Sequence, residues 1–315
     1  MDNESVTSEI PKQISPVINS EFDIELVGTD SWSFRLLHSL AITCLGLSIF
    51  SALYVIIASS MDRGLRQFFT WTKSDRFVFY MACTEIVLDI THLLDHSQIL
   101  ITRDHVRPEM LCKAYGFIIN SLVLTQILTV NVIAVTVFHV ICRHKDIDNG
   151  SSDWKMFLWI FGMPLTSSVV FAALGQFGTN GGFCLFDNVR GRIGNLIVSV
   201  PMILILIANT TLYGFTWCRV RIESRALEAS LGPTVNASAR SHRVARNMFL
   251  FLIVYFIQWW PASILSILVL FPNPPVHMIY FVTTFCNIGG ILNAVVYFVI
   301  RRRRDLPSGQ QIAKA

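Results

Sequence analysis

The sequence predicts an all-α fold, a bundle of seven membrane-crossing helices with its N-terminus outside and its C-terminus inside. Three observations predict it. Of 315 residues, 53% are hydrophobic and 15% charged, and the mean hydropathy is +0.53, whereas soluble domains are about 25% charged. A water-soluble fold of this composition would expose much apolar surface, and disordered chains are polar, so neither class fits. Next, seven apolar runs each reach the roughly 20 residues that a helix needs to cross about 30 Å of hydrocarbon. Finally, 18 of the 25 Lys and Arg residues fall on the side shared with the C-terminus, and the basic side of a membrane protein is the cytoplasmic one. The net charge of +4 is thus a product of topology and does not point to nucleic acid.

The elements follow in order. Residues 1–33 form a polar, acidic extracellular tail with no basic n-region or apolar h-region, so the first span is expected to act as the signal. The spans are placed at 36–61, 77–101, 111–141, 154–174, 193–218, 248–271 and 276–300. The third is long enough to require tilt or a cytoplasmic projection. Single prolines at 164, 201 and 261 interrupt the fourth, fifth and sixth spans, each removing a helical hydrogen bond and permitting a kink. The segment 175–192 is a Gly-rich outer loop. Residues 219–246 are basic and contain Pro, Gly and Ser, which predicts a flexible cytoplasmic loop. The seven-helix domain is set at 34–304, followed by a short cytoplasmic tail at 305–315.

The second span is the most unusual. It carries Glu85, Asp89, His92, Asp95 and His96 in an otherwise apolar run. Glu85, Asp89, His92 and His96 stand at i, i+4, i+7 and i+11, one helical stripe. A charge at mid-membrane costs about 2.5 to 3.5 kcal/mol on insertion scales, so the stripe must face the bundle interior or water. It serves as a hydrogen-bonded pocket lining or, with Asp89, His92 and His96 at helical ligand spacing, as a metal site. The third span adds Asn120, Ser121, Thr125, Gln126, Thr129 and Asn131, suited to interhelical hydrogen bonds.

Of seven cysteines, Cys112 and Cys184 fall on the oxidising side, which favours a disulfide between them over two free thiols. Trp259 and Trp260 precede Pro261, placing bulky aromatics at a bend, either as a hinge or as passive packing. Arg240, Arg243 and Arg246 line the cytoplasmic end of the sixth span, and Arg301 begins a basic cluster closing the seventh. Such clusters anchor helices to anionic lipid heads. No lysine lies deep in any span, which excludes a retinal Schiff base in the seventh. Among the glycosylation triplets only Asn3 falls outside.

Together these landmarks resemble the G-protein-coupled receptors. Glu85 stands where rhodopsin-like receptors keep a sodium-site aspartate. Trp154 and Pro164, Pro201, and Trp259 two before Pro261 match landmarks of the fourth, fifth and sixth helices. Asn293-Ala-Val-Val-Tyr297 resembles the Asn-Pro-x-x-Tyr motif, with alanine for proline. One departure stands out: 25 residues after Cys112, where the family keeps the arginine of Asp-Arg-Tyr, the chain has Val137, and the nearest arginine is Arg143. The ending at 292–298 with Arg301 looks more like the nutrient- and cyclic-AMP-sensing receptors of fungi and amoebae.

The resemblance implies a non-enzymatic plasma-membrane receptor without an organic cofactor, with a sodium ion or water near Glu85. Its partners would be a heterotrimeric G protein, membrane lipids and an extracellular small-molecule or peptide ligand. His92, Asp95, His96, Asn120, Trp260 and Asn287 are expected to contact the ligand. Glu85, Trp259, Pro261, Asn293 and Tyr297 would form the switch, and Arg143, Arg240, Arg243, Arg246 and Arg301 would face the G protein. The competing classes are a seven-span transporter relaying ions along the second helix and a metal-dependent membrane hydrolase.

Overall fold

A computed structural model describes residues 26, 31–145, 147–231, 236–268 and 276–305. Seven helical spans form the bundle. They are α1 (Trp32–Arg63), α2 (Lys73–Thr102), α3 (Glu109–Cys142), α4 (Trp154–Phe157, then Leu158–Gly162 and Met163–Ala173), α5 (Arg192–Leu231), α6 (Asn236–Leu268) and α7 (Val276–Cys286 and Gly289–Asp305). Each predicted span has its helix. Five are long and apolar enough to cross a membrane. The two arms of α7 make a sixth span bent by 44°, and α6 contributes the apolar stretch Phe249–Leu265. Helix α3 is central and packs on α2, α4, α5 and α6, while α7 closes the ring against α1, α2 and α6.

Local chemistry sets the helix ends and breaks. Thr72 caps α2, its hydroxyl accepting the Asp75 N–H at 3.3 Å, and so satisfies one donor that a helix start leaves free. In α4 the turn Leu158–Gly162 is π-helical and runs into Pro164, whose ring supplies no N–H to the preceding turn. Pro201 and Pro261 lie inside α5 and α6. The break in α7 has no proline. It falls at Asn287 and Ile288, beyond which the Gly290 N–H donates to Ser48 Oγ of α1 at 2.8 Å. Gly289 and Gly290 permit this approach, because a Cβ at 289 would collide with Glu85 and Gln258 and one at 290 with Ser48.

Two connections differ from expectation. The predicted flexible loop at 219–246 is largely helical, with α5 running on to Leu231 and α6 starting at Asn236. Residues 219–231 are rich in Arg, Glu, Ala and Leu, all strong helix formers, and Arg219 pairs with Glu223 one turn on at 2.7 Å. Past the bilayer a helix needs no apolar face, so hydropathy ends before the helix does. The loop between α4 and α5 is ordered as a hairpin of β1 (Phe177–Thr179) and β2 (Cys184–Phe186), antiparallel, with Thr179 opposite Cys184. Cys184 is disulfide-bonded to Cys112 at the start of α3, their Cα atoms 5.2 Å apart. Gly116, one turn further along α3, lets the strand lie close: a Cβ there would sit 2.6 Å from the Leu185 carbonyl oxygen.

The hairpin roofs the disulfide end, where Leu26, Phe34, Ile99, Val106 and the two half-cystines form a small apolar cluster. A larger core fills the opposite half, from Ala52 and Val55 through Phe77, Ile133 and Val137 to Tyr297. Between the two lies a polar layer.

Candidate functional site

That layer is built on the inward stripe of α2. At the disulfide end, His38 of α1 and His96 of α2 share a hydrogen bond between their Nδ1 atoms at 2.8 Å. The ring of His92 lies 4.6 Å from that of His96, and its Nδ1 bonds Asn287 Oδ1 at the break of α7, at 3.1 Å. Phe183 of the hairpin covers both rings, 5.0 Å from His92 and 5.9 Å from His96. Asp95 turns to the roof, where Oδ2 accepts the Cys184 N–H at 2.9 Å. The carboxylate therefore fixes the hairpin to α2 beside the disulfide that fixes it to α3.

One to two turns deeper, Glu85 accepts hydrogen bonds from the Gln126 amide of α3 and the Gln258 amide of α6. Ser48 of α1 hydrogen-bonds Asp89. Four helices thus meet at two carboxyls, with Gly289 of α7 against Glu85. Burial of a carboxyl is tolerable when every face finds a donor. Asp89 Oδ2 and both side-chain polar atoms of Asn293 are buried without a hydrogen-bond partner among the described residues. Asp89 Oδ2 and Asn293 Oδ1 match the ligand chemistry of a hard cation, and all three atoms that of water. Among the described residues, no group of three or more His, Cys, Asp and Glu is arranged to hold a metal ion.

The other predicted residues are dispersed around this column. Asn120 donates to Ser168 of α4 at 2.8 Å, at the α3–α4 contact. Trp260 is half-buried and tilts against Phe285 of α7, ring centres 6.2 Å apart. Trp259 is buried beside Tyr255 and Met202. Tyr297 donates to Asp62 of α1 at 3.1 Å, and Arg301 donates to the same carboxylate at 3.1 Å. Val137 sits in the apolar core, while Arg143 closes α3 with its guanidinium 6.0 Å from the Phe138 ring. Asn3 and the side chains of Arg240, Arg243 and Arg246 lie outside the described residues.

Several organising residues escape sequence reasoning. His38 is a lone histidine in an apolar helix, and only the fold shows what it faces. Gln258 is hidden beside the conspicuous Trp259 and Trp260. At the basic end Arg76 binds Asp153 through two nitrogens, at 2.8 and 3.0 Å, and Tyr80 donates to the same carboxylate at 3.0 Å. Asp153 and Ser152 hold left-handed backbone angles, φ 59° and 58°, uncommon for residues with a Cβ. A local cue did exist, since Asp153 directly precedes Trp154 at a helix start.

Sequence and structure comparisons agree on what this bundle is. A family profile described as "7 transmembrane receptor (rhodopsin family)" matches residues 51–297. The chain belongs to the rhodopsin family of seven-transmembrane receptors. The structure is similar to the crystal structure of squid rhodopsin, with a TM-score of 0.67 at 15% identity, covering 90% of this chain and 86% of that one. At that identity the likeness concerns the fold. No curated protein matches the sequence significantly. The match begins within α1 and ends at Tyr297 in α7, so it takes in part of those two helices and all of the five between them. As a family member the chain is a multi-pass membrane receptor with signalling as its function. It has no lysine between 155 and 314, so a rhodopsin-type Schiff base in α7 has no amine.

Proposed function

We propose that this chain is a plasma-membrane receptor passing an extracellular ligand signal to a heterotrimeric G protein. The observation that carries the reading is the buried polar column inside a rhodopsin-family bundle, running from His92 and Asn287 past Glu85 and Asp89 to Asn293. A small-molecule or peptide ligand enters at the disulfide end and engages His92, Asp95, His96, Asn120, Trp260 and Asn287. Binding shifts a pre-existing equilibrium in which α6 swings about Pro261. Trp259 at the bend, Glu85 bonded to α6 through Gln258, and Asn293 with Tyr297 on α7 couple the two ends. Asp89 and Asn293 would supply oxygen atoms to a sodium ion or water beside Glu85.

In this orientation residues 1–33 lie outside with Asn3 available for glycosylation, and the tail at 305–315 lies inside. Arg143, Arg240, Arg243, Arg246 and Arg301 face the G protein and anionic lipid. The narrower resemblance to nutrient- and cyclic-AMP-sensing receptors of fungi and amoebae, carried by 292–298 and Arg301, favours a small polar ligand. No catalytic step is required, and no observation favours a transporter.

The test uses the purified chain in lipid vesicles with heterotrimers of the main Gα classes, reading GTPγS uptake. Basal exchange on one class should exceed that of empty vesicles, and Trp259→Ala and Asn293→Ala should each lower it. Exchange equal to empty vesicles for every class, or indifferent to both substitutions, overturns the proposal.

A further inference from the structure

We infer that His38, His92 and His96 form a proton-binding site whose occupation releases α1 from α2 at the disulfide end. The inference deepens the receptor reading by adding a proton to the ligands of that end, and its test uses no G protein. Failure of one is therefore distinguishable from failure of the other.

The hydrogen bonds themselves carry the argument. In the His38–His96 pair, with Nδ1 facing Nδ1 at 2.8 Å, one nitrogen must carry a hydrogen and the other a lone pair. A further proton on the accepting ring leaves both Nδ1 atoms bearing hydrogens, and the contact turns from attraction to repulsion. In His92, Nδ1 donates to the carbonyl oxygen of Asn287, so Nε2 holds the lone pair. That Nε2 is buried and has no partner among the described residues. It is a free basic nitrogen one ring away from the pair.

Among the described residues no carboxylate is hydrogen-bonded to these three rings. From α1 the cluster faces His38. From α2 come Asp95, bound to the Cys184 N–H, and Asp89, one turn deeper and bound to Ser48. From α3 comes Tyr115, beside Asp95. The hairpin presents the Phe183 ring, and α7 presents the neutral Asn287 amide. A charge gained there is costly until the helices separate and admit water. A histidine that reaches water titrates between pH 5 and 8, so acidification favours the separated form, which takes up the proton, over the closed one.

Hydrogen exchange on the full chain in nanodiscs tests this. With intrinsic exchange corrected for, protection of 34–42 and 92–102 should fall about tenfold from pH 7.5 to 5.5, within the roughly hundredfold ceiling that one linked proton allows over two pH units. His38→Gln and His96→Gln, which hydrogen-bond without titrating, should flatten the response, while His105→Gln, whose ring bonds Thr179 outside the cluster, should keep it. A flat profile in the unaltered chain, or an acid response that survives both cluster substitutions, overturns the inference. Should the variants not fold, 15N-histidine NMR of the unaltered chain decides: exchange of the hydrogen-bonded Nδ1 proton with water, corrected for intrinsic exchange, should quicken about tenfold from pH 7.5 to 5.5, and an unchanged rate refutes the site.

Discussion

The two ends of the bundle are fastened by different chemistry. At the disulfide end the ties are one covalent bond and hydrogen bonds among buried groups: Cys112 to Cys184, His38 to His96, His92 to Asn287, and Asp95 to the Cys184 N–H. At the basic end they are ion pairs, Arg63 with Asp75, Arg76 with Asp153, and Arg301 with Asp62. Buried hydrogen bonds and disulfides ignore salt, whereas partly wet ion pairs are screened within about 8 to 10 Å at ordinary ionic strength. One end is therefore indifferent to salt, and the other is held in part by contacts that salt can loosen. Under the proposed function, with ligand received at one end and a partner at the other, this division is useful.

Breaking the disulfide should have the largest effect. Cys112→Ser frees a hairpin that roofs the polar column, and a cross-link closing a loop of this length contributes about 4 kcal/mol in the chain-entropy account. The expected outcome is a fall in thermal stability in detergent that dithiothreitol reproduces in the unaltered chain and does not add to in the variant. Next comes Asp153→Ala. Arg76 and Asp153 have side-chain exposures of only 11% and 6%, so removing one partner strands a charge and a Tyr80 hydroxyl, at a cost of about 3 kcal/mol. The double change Arg76→Met with Asp153→Ala should recover part of the loss, because no charge is then left buried. A double-mutant cycle in thermal melts measures this directly, and simple additivity would mean the pair is not coupled.

The comparison also explains what was legible in the sequence. The fold was legible because hydrocarbon imposes a uniform rule, about 20 apolar residues per crossing, and all seven runs have helices. The Cys112–Cys184 bond followed from topology, since only those two cysteines fall on one side. Helix ends beyond the bilayer were not legible. There hydropathy is silent, and α5 continues for 13 residues past the predicted end at 218 on propensity alone. The α2 stripe announced that Glu85, Asp89, His92 and His96 share a face, but their partners lie on other helices. Ser48, His38 and Gln258 stand in largely apolar runs where nothing local distinguishes them from solitary packing, and Gln126, though one of the polar residues noted in the third span, carries no sign of which helix it meets. The break of α7 was hidden for a related reason: Gly289 and Gly290 are small because Glu85 and Ser48 are near, a contact across more than 200 residues. The ion pairs at the basic end were hidden because charges there are many and any of several pairings would satisfy the count.

Weaker ties should respond in proportion to their exposure. Asp62 accepts from Tyr297 and Arg301 at the α1–α7 contact, with side-chain exposures of 36% for Arg301 and 23% for Asp62. Water and salt compete for such a pair. Asp62→Asn should therefore shift the melting temperature well below what Asp153→Ala does, and 0.5 M salt should erase the difference. A shift as large as that of Asp153→Ala would show that the α1–α7 contact is as firm as the buried Arg76–Asp153 pair.

The smallest effect is expected in the α3–α4 connection. Asp148 is fully exposed. Its carboxyl is held below the usual carboxylate range, first by the hydrogen bond from the Lys155 ammonium and then by the Gly150 N–H. A folded-state pKa below the unfolded value means that the stabilising contribution is present above about pH 4, the ordinary carboxyl value, and is lost as pH falls through the depressed one. Acidification from pH 5 to 3 should thus raise hydrogen exchange at 148–150 without moving the global melt. Lys155→Ala should abolish that local dependence while leaving Arg76, Tyr80 and Asp153 in place. A global loss of stability on Lys155→Ala would mean that the exposed pair supports the Arg76–Asp153 contact, joining the weakest tie of this end to its strongest.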